Sequence, residues 1–412
     1  MYNITPSTQA ILLLTSSFSE KKSEDIMPLN PVEWGRFALW LHEHDLKPED
    51  LVYGEVEELL SLWVDSQITI SRIKALLNRG TALALAMEKW QRVGIWVITR
   101  SSLDYPKQLK KKLKHLSPPV LYGIGNPKLL NKPSIAVVGS RKASKEALEY
   151  THRLGHKIAN DGYTLVSGGA KGIDEAAMMG ALEVGGTVIG ILPDNLSKAS
   201  LSSQYRKALM SNELALISTN YPESPFSAVN ALENNKYIYT QSVAAIIAHS
   251  EIKGGTWSGA NEALKEEYTP LWVTSMSAGN KKLIELGVNI VSDDMFENTI
   301  DILCSGNVTS SVDNTNKSLS LFDDMVEKKD STDETKSDVD INKSNSNDMD
   351  SFFDFFMSKL YQEYPKNSIF KPKELEEKFS INLSQINTWI AKAEENKLIQ
   401  RVEGRIKKYK IL

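Results

Sequence analysis

Over the first hundred positions the apolar residues recur at near-3.6 spacing. TPSTQAILLLTSSF, VEWGRFALWLHEHD, EVEELLSLWVD and ISRIKALLNRGTALALAMEKWQRVG all show it, which predicts a helical module over residues 1–97. Pro28, Pro31 and Pro48 punctuate the module. Beyond it the pattern changes. Short runs that are apolar throughout, SIAVVGS, YTLVSGG, TVIGILP, LALISTN, AAIIAHS and PLWVTS, alternate with helical runs at 145–161, 173–184, 204–211, 232–241 and in SGANEALKEE, which starts at Ser258. A strand apolar on both sides is one buried on both sides, and strands alternating with helices build a parallel sheet covered by helices. The expected fold is therefore α/β, a Rossmann-like doubly wound and mostly parallel sheet, occupying residues 98–304.

After Cys304 the periodicity is lost. GNVTSSVDNTNKSLSLFDDMVEKKDSTDETKSDVDINKSNSNDMD is dominated by Ser, Asp, Asn, Lys and Thr, which predicts a disordered acidic linker over 305–349. Pattern returns in 350–412 with SFFDFFMSKLYQEY, KPKELEEKF, SQINTWIAKAEENKLIQ and RVEGRIKKYKIL. Three short helices followed by a Gly-centred basic hairpin describe a small winged-helix domain. Its recognition-like helix would be 384–396. Its wing would be 401–410, where Arg401, Arg405, Lys407, Lys408 and Lys410 cluster. That cluster suits duplex phosphates, while Glu394 and Glu395 on the helix suit a protein-docking module equally well.

Composition narrows the function classes. The chain has 412 residues, 41% of them hydrophobic, enough for two or three cores. A net charge of -4 excludes a uniformly basic nucleic-acid coat, so any nucleic-acid site must be a local patch. Cys304 is the only cysteine, which excludes an intrachain disulfide and a cysteine-based metal site. The six histidines include no HExxH motif and the single cysteine no CxxC motif, so no metal site is expected. The opening MYNITPSTQAILLLTSSFSEKK has an apolar patch without a basic region before it or a small-residue cleavage pattern after it. No run approaches the roughly 20 apolar residues that cross a bilayer. A cytoplasmic protein with no membrane partner is expected.

Candidate chemistry sits at three glycine-bearing strand ends. The first is Gly139-Ser140-Arg141 after SIAVV. There Gly139 permits a tight turn, and Arg141 offers a planar fork for phosphate. The second runs from Ser167 through Gly168, Gly169, Ala170, Lys171 and Gly172 to Asp174, with Lys171 as a point charge and Asp174 placed to cap the following helix. The third is Lys253-Gly254-Gly255-Thr256, again ahead of a helix. Open α/β sheets bind ligands beyond the carboxyl ends of their strands, where helix N-termini point free N–H groups outward. With cations at Arg141, Lys171, Lys236 and Lys253, the three loops predict one shared anion site at the switch point of the sheet. GxGxxG is absent after the first strand and GxxxxGK[ST] is absent altogether, so no nucleotide cofactor and no ATP hydrolysis are expected. No catalytic residue is assigned.

The ordered motifs resemble a known family. DYPKQLKKKLKHLSPPVLYGIGNPKLLNKPSIAVVGSRKAS is similar to the start of the DprA/Smf core, with its Tyr-Pro, its Pro-Pro-Leu-Tyr-like turn and its VGSR strand end. SGGAKGIDEAAMMGAL resembles the family's SGxAxGID segment, and GNKKLIELGV its closing GxNxLIxxGA element. The resemblance covers about residues 104–291. It implies a non-catalytic protein that binds single-stranded DNA, assembles as a homodimer and assists loading of a RecA-type recombinase during DNA uptake. By matching position, Gly139, Ser140, Arg141, Ser167, Gly168, Lys171, Gly172 and Asp174 would form the phosphate pocket, and Lys236 would add a cation.

The chain also departs from that pattern. Asn234-Asn235-Lys236 stands where the family shows an RNR triplet, and Gly254-Gly255-Thr256-Trp257-Ser258-Gly259-Ala260 stands where it shows an SGSLITA-like loop. These changes leave open a second reading, a nucleotide-sensing regulator serving, for example, in defence against foreign DNA. Trp257 is then either a base-stacking or a packing residue. A third reading resembles the LOG nucleotide phosphoribohydrolases, whose glutamate follows a PGGxGT motif; here the Pro is absent and Glu262 lies about a turn and a half further along. In the linker, Ser318-Leu319-Ser320-Leu321-Phe322 resembles the short peptide that docks on a bacterial sliding clamp.

Overall fold

A computed structural model describes residues 4–18, 26–275, 277–291, 300 and 303, together with parts of 357–411. The chain divides into two compact units, Met1–Leu321 and Phe322–Leu412. The first unit is built on nine strands: β1 (Trp96–Thr99), β2 (Val120–Gly125), β3 (Ser134–Gly139), β4 (Thr164–Ser167), β5 (Val188–Ile191), β6 (Leu214–Ser218), β7 (Ala244–His249), β8 (Leu271–Val273) and β9 (Asn289–Ile290). Their order is β1-β2-β6-β5-β4-β3-β7-β8-β9. From β6 to β9 every pairing is parallel, while β1 and β2 join the β6 edge antiparallel. The expected mostly parallel, doubly wound sheet is therefore present. β3, the first parallel strand in the chain, lies between β4 and β7, so the winding direction reverses at the β3/β7 junction.

The continuous apolar runs are explained by burial on two sides. Ile135 and Val137 face one core with Leu154 and Ile158 of the helix Lys145–Asn160 and Ala177 and Met178 of the helix Ile173–Glu183. Their neighbours Ala136 and Val138 face the other core with Ile238 of Ala228–Gln241 and Ala260 of Gly255–Lys265. Alternate residues of one strand thus feed opposite layers, as the two-residue period requires.

The N-terminal helices share the first of these cores. Leu12, Phe37, Trp63 and Trp90 belong to the same cluster as Val120, Tyr122 and Ile135, and the ring of Trp90 meets Tyr122 edge-on at 5.0 Å. Asn30 and Glu33 cap the helix Pro31–Glu43 reciprocally, and Arg72 grips both carboxylate oxygens of Glu33, at 2.8 and 3.1 Å. The stretch Pro118-Pro119-Val120-Leu121-Tyr122, similar to the family's Pro-Pro-Leu-Tyr-like turn, runs into a strand. Leu121 and Tyr122 lie inside β2. Helices also begin earlier than their apolar pattern suggests: 228 instead of 232, and 255 instead of 258.

The second unit contains a three-stranded antiparallel sheet, β10 (Ile369–Phe370), β11 (Ile399–Val402) and β12 (Lys408–Ile411), ordered β10-β12-β11. β11 and β12 supply the hairpin expected at the wing. Phe370, Ile390, Ile399 and Tyr409 belong to a separate small core. Arg401 is exposed and Lys410 half-buried. Arg405, Lys407, most of the recognition-like helix, the linker and the clamp-like peptide at Ser318–Phe322 lie outside the described residues. Among the described residues, no helix is long and apolar enough to cross a membrane.

Candidate functional site

At the β3/β7 junction the chain leaves a cavity of about 530 Å³. Gly139, Ser140 and Arg141 form one wall, Lys253, Gly254, Gly255 and Thr256 the opposite one, and Asp174 lies at the base. A third side comes from the region before and along the helix Ala228–Gln241, including Phe226, Leu232 and Asn235. All three glycine loops thus reach one space, the second through Ala170 and Asp174.

Backbone hydrogen bonds fix that meeting. Ser140 N–H donates to His249 O at 2.8 Å, tying the end of β3 to the end of β7. Ile173 N–H donates to Ser140 O at 3.4 Å, which brings the second loop under the first. Asn235 Nδ2 donates to Gly255 O at 3.0 Å and holds the start of the helix Gly255–Lys265 against Ala228–Gln241. This helix begins at Gly254 with φ 110° and no side-chain cap, so its first-turn N–H groups are free for an anion. A residue with a Cβ is strained in that conformation, which is why glycine stands there.

Most of the second loop packs inward, and only Ala170 and Asp174 of it line the cavity. Ser167 is fully buried and donates its hydroxyl to Val137 O at 2.6 Å. A Cβ on Gly169 would lie 2.6 Å from Leu192 Cδ2, and one on Gly172 would lie 2.7 Å from Ser140 O. These small residues, with Gly168 beside Asp174, let β4 and its helix pack closely. Lys171 is exposed and Lys236 half-buried, its Nζ 5.1 Å from the Tyr237 ring centre. Ser167, Gly168, Gly169, Lys171, Gly172 and Lys236 are not among the residues lining the cavity.

Asp174 does not cap its own helix. Its Oδ1 accepts from Gly139 N–H at 3.2 Å, and its carboxylate also takes backbone N–H groups of Ala170 and Gly168. Burial pushes its pKa up to about 7, opposed by those N–H groups and by the charge of Arg141. Burial likewise raises Asp194, again opposed first by Arg141. Arg141 is thus the cation whose field reaches both carboxyl groups. It is exposed, and its guanidinium sits 5.2 Å from the centre of the Phe226 ring.

Phe226 and Glu251 line the cavity without having been singled out in the sequence, and Asn235, the middle of the altered triplet, lines it too. Phe226 is an aromatic ring 51% exposed at the rim, where a base could lie on it. Asn234 turns inward and donates to Ile191 O at 2.6 Å, so the first position of the altered triplet serves the core. Trp257 packs half-buried against the second core. Glu262 is exposed, accepts a hydrogen bond from Tyr268 Oη at 3.1 Å, and is not part of the cavity lining.

A family model described as DNA recombination-mediator protein A matches residues 96–300. The DNA processing protein DprA of Streptococcus pneumoniae is 28% identical over 182 residues, 43% of this chain and 64% of that protein. The same-named protein of Bacillus subtilis is 26% identical over 224 residues, 52% of this chain and 75% of that protein. The chain therefore spans about two thirds of the pneumococcal relative it matches. The crystal structure of the pneumococcal protein superposes with a TM-score of 0.55 at 18% identity, covering 71% of this chain and 96% of that one, which shows a shared fold.

Proposed function

This chain belongs to the DprA/Smf family, and from that premise we propose that it is a single-stranded DNA-binding, DNA-processing protein acting in DNA uptake and recombination. One observation carries the reading: Arg141, Lys253 and the uncapped start of the helix Gly255–Lys265 converge on one cavity at the switch point, with Phe226 at its rim. Backbone N–H groups and a guanidinium take a phosphate, and an exposed ring takes the adjoining base. The chemistry required is binding, and no step of bond cleavage is assigned. By the family resemblance the proposal includes a homodimer that passes the strand to a RecA-type recombinase.

A second reading, a nucleotide sensor, is favoured by the size of the cavity, which suits a ligand of a few rings. Equilibrium binding of a fluorescent single-stranded oligonucleotide across a salt series, with a mononucleotide as competitor, separates the two. DNA handling requires steeply salt-dependent binding, weakened by Phe226→Ala and resisting the mononucleotide. Weak strand binding with efficient displacement by the mononucleotide would transfer the assignment to the sensor.

A further inference from the structure

Away from the cavity, on the opposite layer of the sheet, two helices cross in backbone contact. A Cβ added to Gly180 would lie 2.1 Å from His152 O, and one added to Gly155 would lie 2.3 Å from Ala177 O. The two glycines therefore let Lys145–Asn160 and Ile173–Glu183 approach more closely than larger residues would permit. His152 and His156, four residues apart, occupy one face of the first helix. Glu183, three residues after Gly180, ends the second helix on the face that meets them. Its Oε2 lies 3.2 Å from His152 Nε2 and 3.5 Å from His156 Nε2.

Each of these side chains offers one ligand atom, and the three atoms all lie within 4.8 Å of one another. Zn²⁺ holds nitrogen and oxygen ligands at about 2.0–2.2 Å in a tetrahedron, which sets neighbouring donor atoms about 3.3 Å apart. The two separations from Glu183 bracket that spacing, and the remaining pair, within 4.8 Å, draws together as the ion is held. A plain hydrogen-bonded trio explains less, because His156 Nε2 is shut off from solvent and its contact with Glu183 Oε2, at 3.5 Å, is only at the limit of hydrogen-bond distance. His152 also borders an open groove of about 770 Å³ with Glu146 and Glu149, from which water can complete a fourth position. Two imidazoles and one carboxylate favour zinc over the all-oxygen preferences of calcium and magnesium.

We propose that His152, His156 and Glu183 bind one Zn²⁺ ion that staples the helices Lys145–Asn160 and Ile173–Glu183 together. The metal-free expectation from the sequence passed over His152 and His156, which stand at the i, i+4 spacing of two helical ligands. Here one of the three ligands is supplied by the following helix. The site does not depend on the DNA-binding reading.

The test uses the full chain without a polyhistidine tag, stripped by a chelator and titrated with zinc against a chromophoric competitor. The wild type should take up one equivalent, and the H152Q/H156Q double variant should bind at least about tenfold more weakly. Zinc should raise the thermal unfolding midpoint of the wild type and leave that of the double variant in place, with Glu183→Gln between them. Circular dichroism of the zinc-free double variant verifies that it folds. Equal zinc uptake by wild type and double variant, or no competition by the wild type, overturns the proposal.

Discussion

The loop at Gly139–Arg141 and the loop at Ser167–Gly172 look alike in the sequence, each a glycine-bearing strand end followed by a helix, yet they face different surroundings. The first opens on the cavity and carries Arg141 into it. The second is pressed beneath the first, with Gly172 against Ser140 O and Ser167 bonded to β3, and reaches the cavity only through Ala170 and Asp174. Glycine at a strand end serves close approach, and what approaches can be a ligand or the protein's own backbone. The difference is decided by the sheet order, since β3 lies at the reversal beside β7 and β4 lies one strand inside it.

The strongest way to break this comparison is Gly172→Ala. With φ at 91° and Ser140 and Arg141 within 2.9 Å of a new Cβ, the substitution should destabilise the fold by about 2–3 kcal/mol, read from the urea unfolding midpoint. A variant of unchanged stability that lost only DNA affinity would return the second loop to the ligand. Next comes the pair of cations. Arg141→Ala should weaken oligonucleotide binding about tenfold and flatten the salt slope by about 0.7, the share of one single-strand phosphate. Lys171→Ala should change affinity by less than about twofold, as befits an exposed charge that does not itself line the cavity. Equal losses at the two positions would erase the distinction between the loops.

The smallest expected effect on oligonucleotide affinity is a pH dependence centred on Asp174. Its folded pKa of about 7 lies above the ordinary 3.8, so the group's stabilising contribution is complete below the ordinary value and is lost as pH rises through about 7. The anion formed there also opposes a phosphate in the same cavity. Oligonucleotide affinity should therefore rise as pH is lowered from about 8 to about 6, and Asp174→Asn should flatten the wild-type trend in both affinity and stability. A variant that titrates like the wild type would place the pH response elsewhere.

The parallel strands were legible because Ile135, Val137, Val138 and their counterparts are buried on both faces and leave an unbroken apolar run. β2 was not, because Gly123 and Gly125 interrupt VLYGIG, and glycine within a run reads as a turn. The structure supplies the reason for Gly123: a Cβ there would lie 2.1 Å from the Trp96 ring laid across it. At the site, the residues around Gly139 and Gly254 were readable from strand ends alone. Phe226 was not, since it sits in a Ser- and Pro-rich connection with no periodicity to mark it. Asp174 was read as a cap because position near a helix start is local information, whereas its partner Gly139 is 35 residues away in the chain.

One carboxylate gives the molecule an unplanned hinge pin. Glu223 accepts from Trp90 Nε1 at 3.2 Å, pairs with Lys89 at 3.1 Å and accepts from Ser197 Oγ at 3.3 Å, three residues before Phe226. The wall of the cavity is therefore moored to the last of the N-terminal helices. In the proposed DNA-binding role a strand resting on Phe226 touches the same mooring, and any free energy that couples the cavity to the first hundred residues acts equally in both directions. Cutting the chain before the sheet removes more than an accessory: it unmoors one side of the place where the ligand sits.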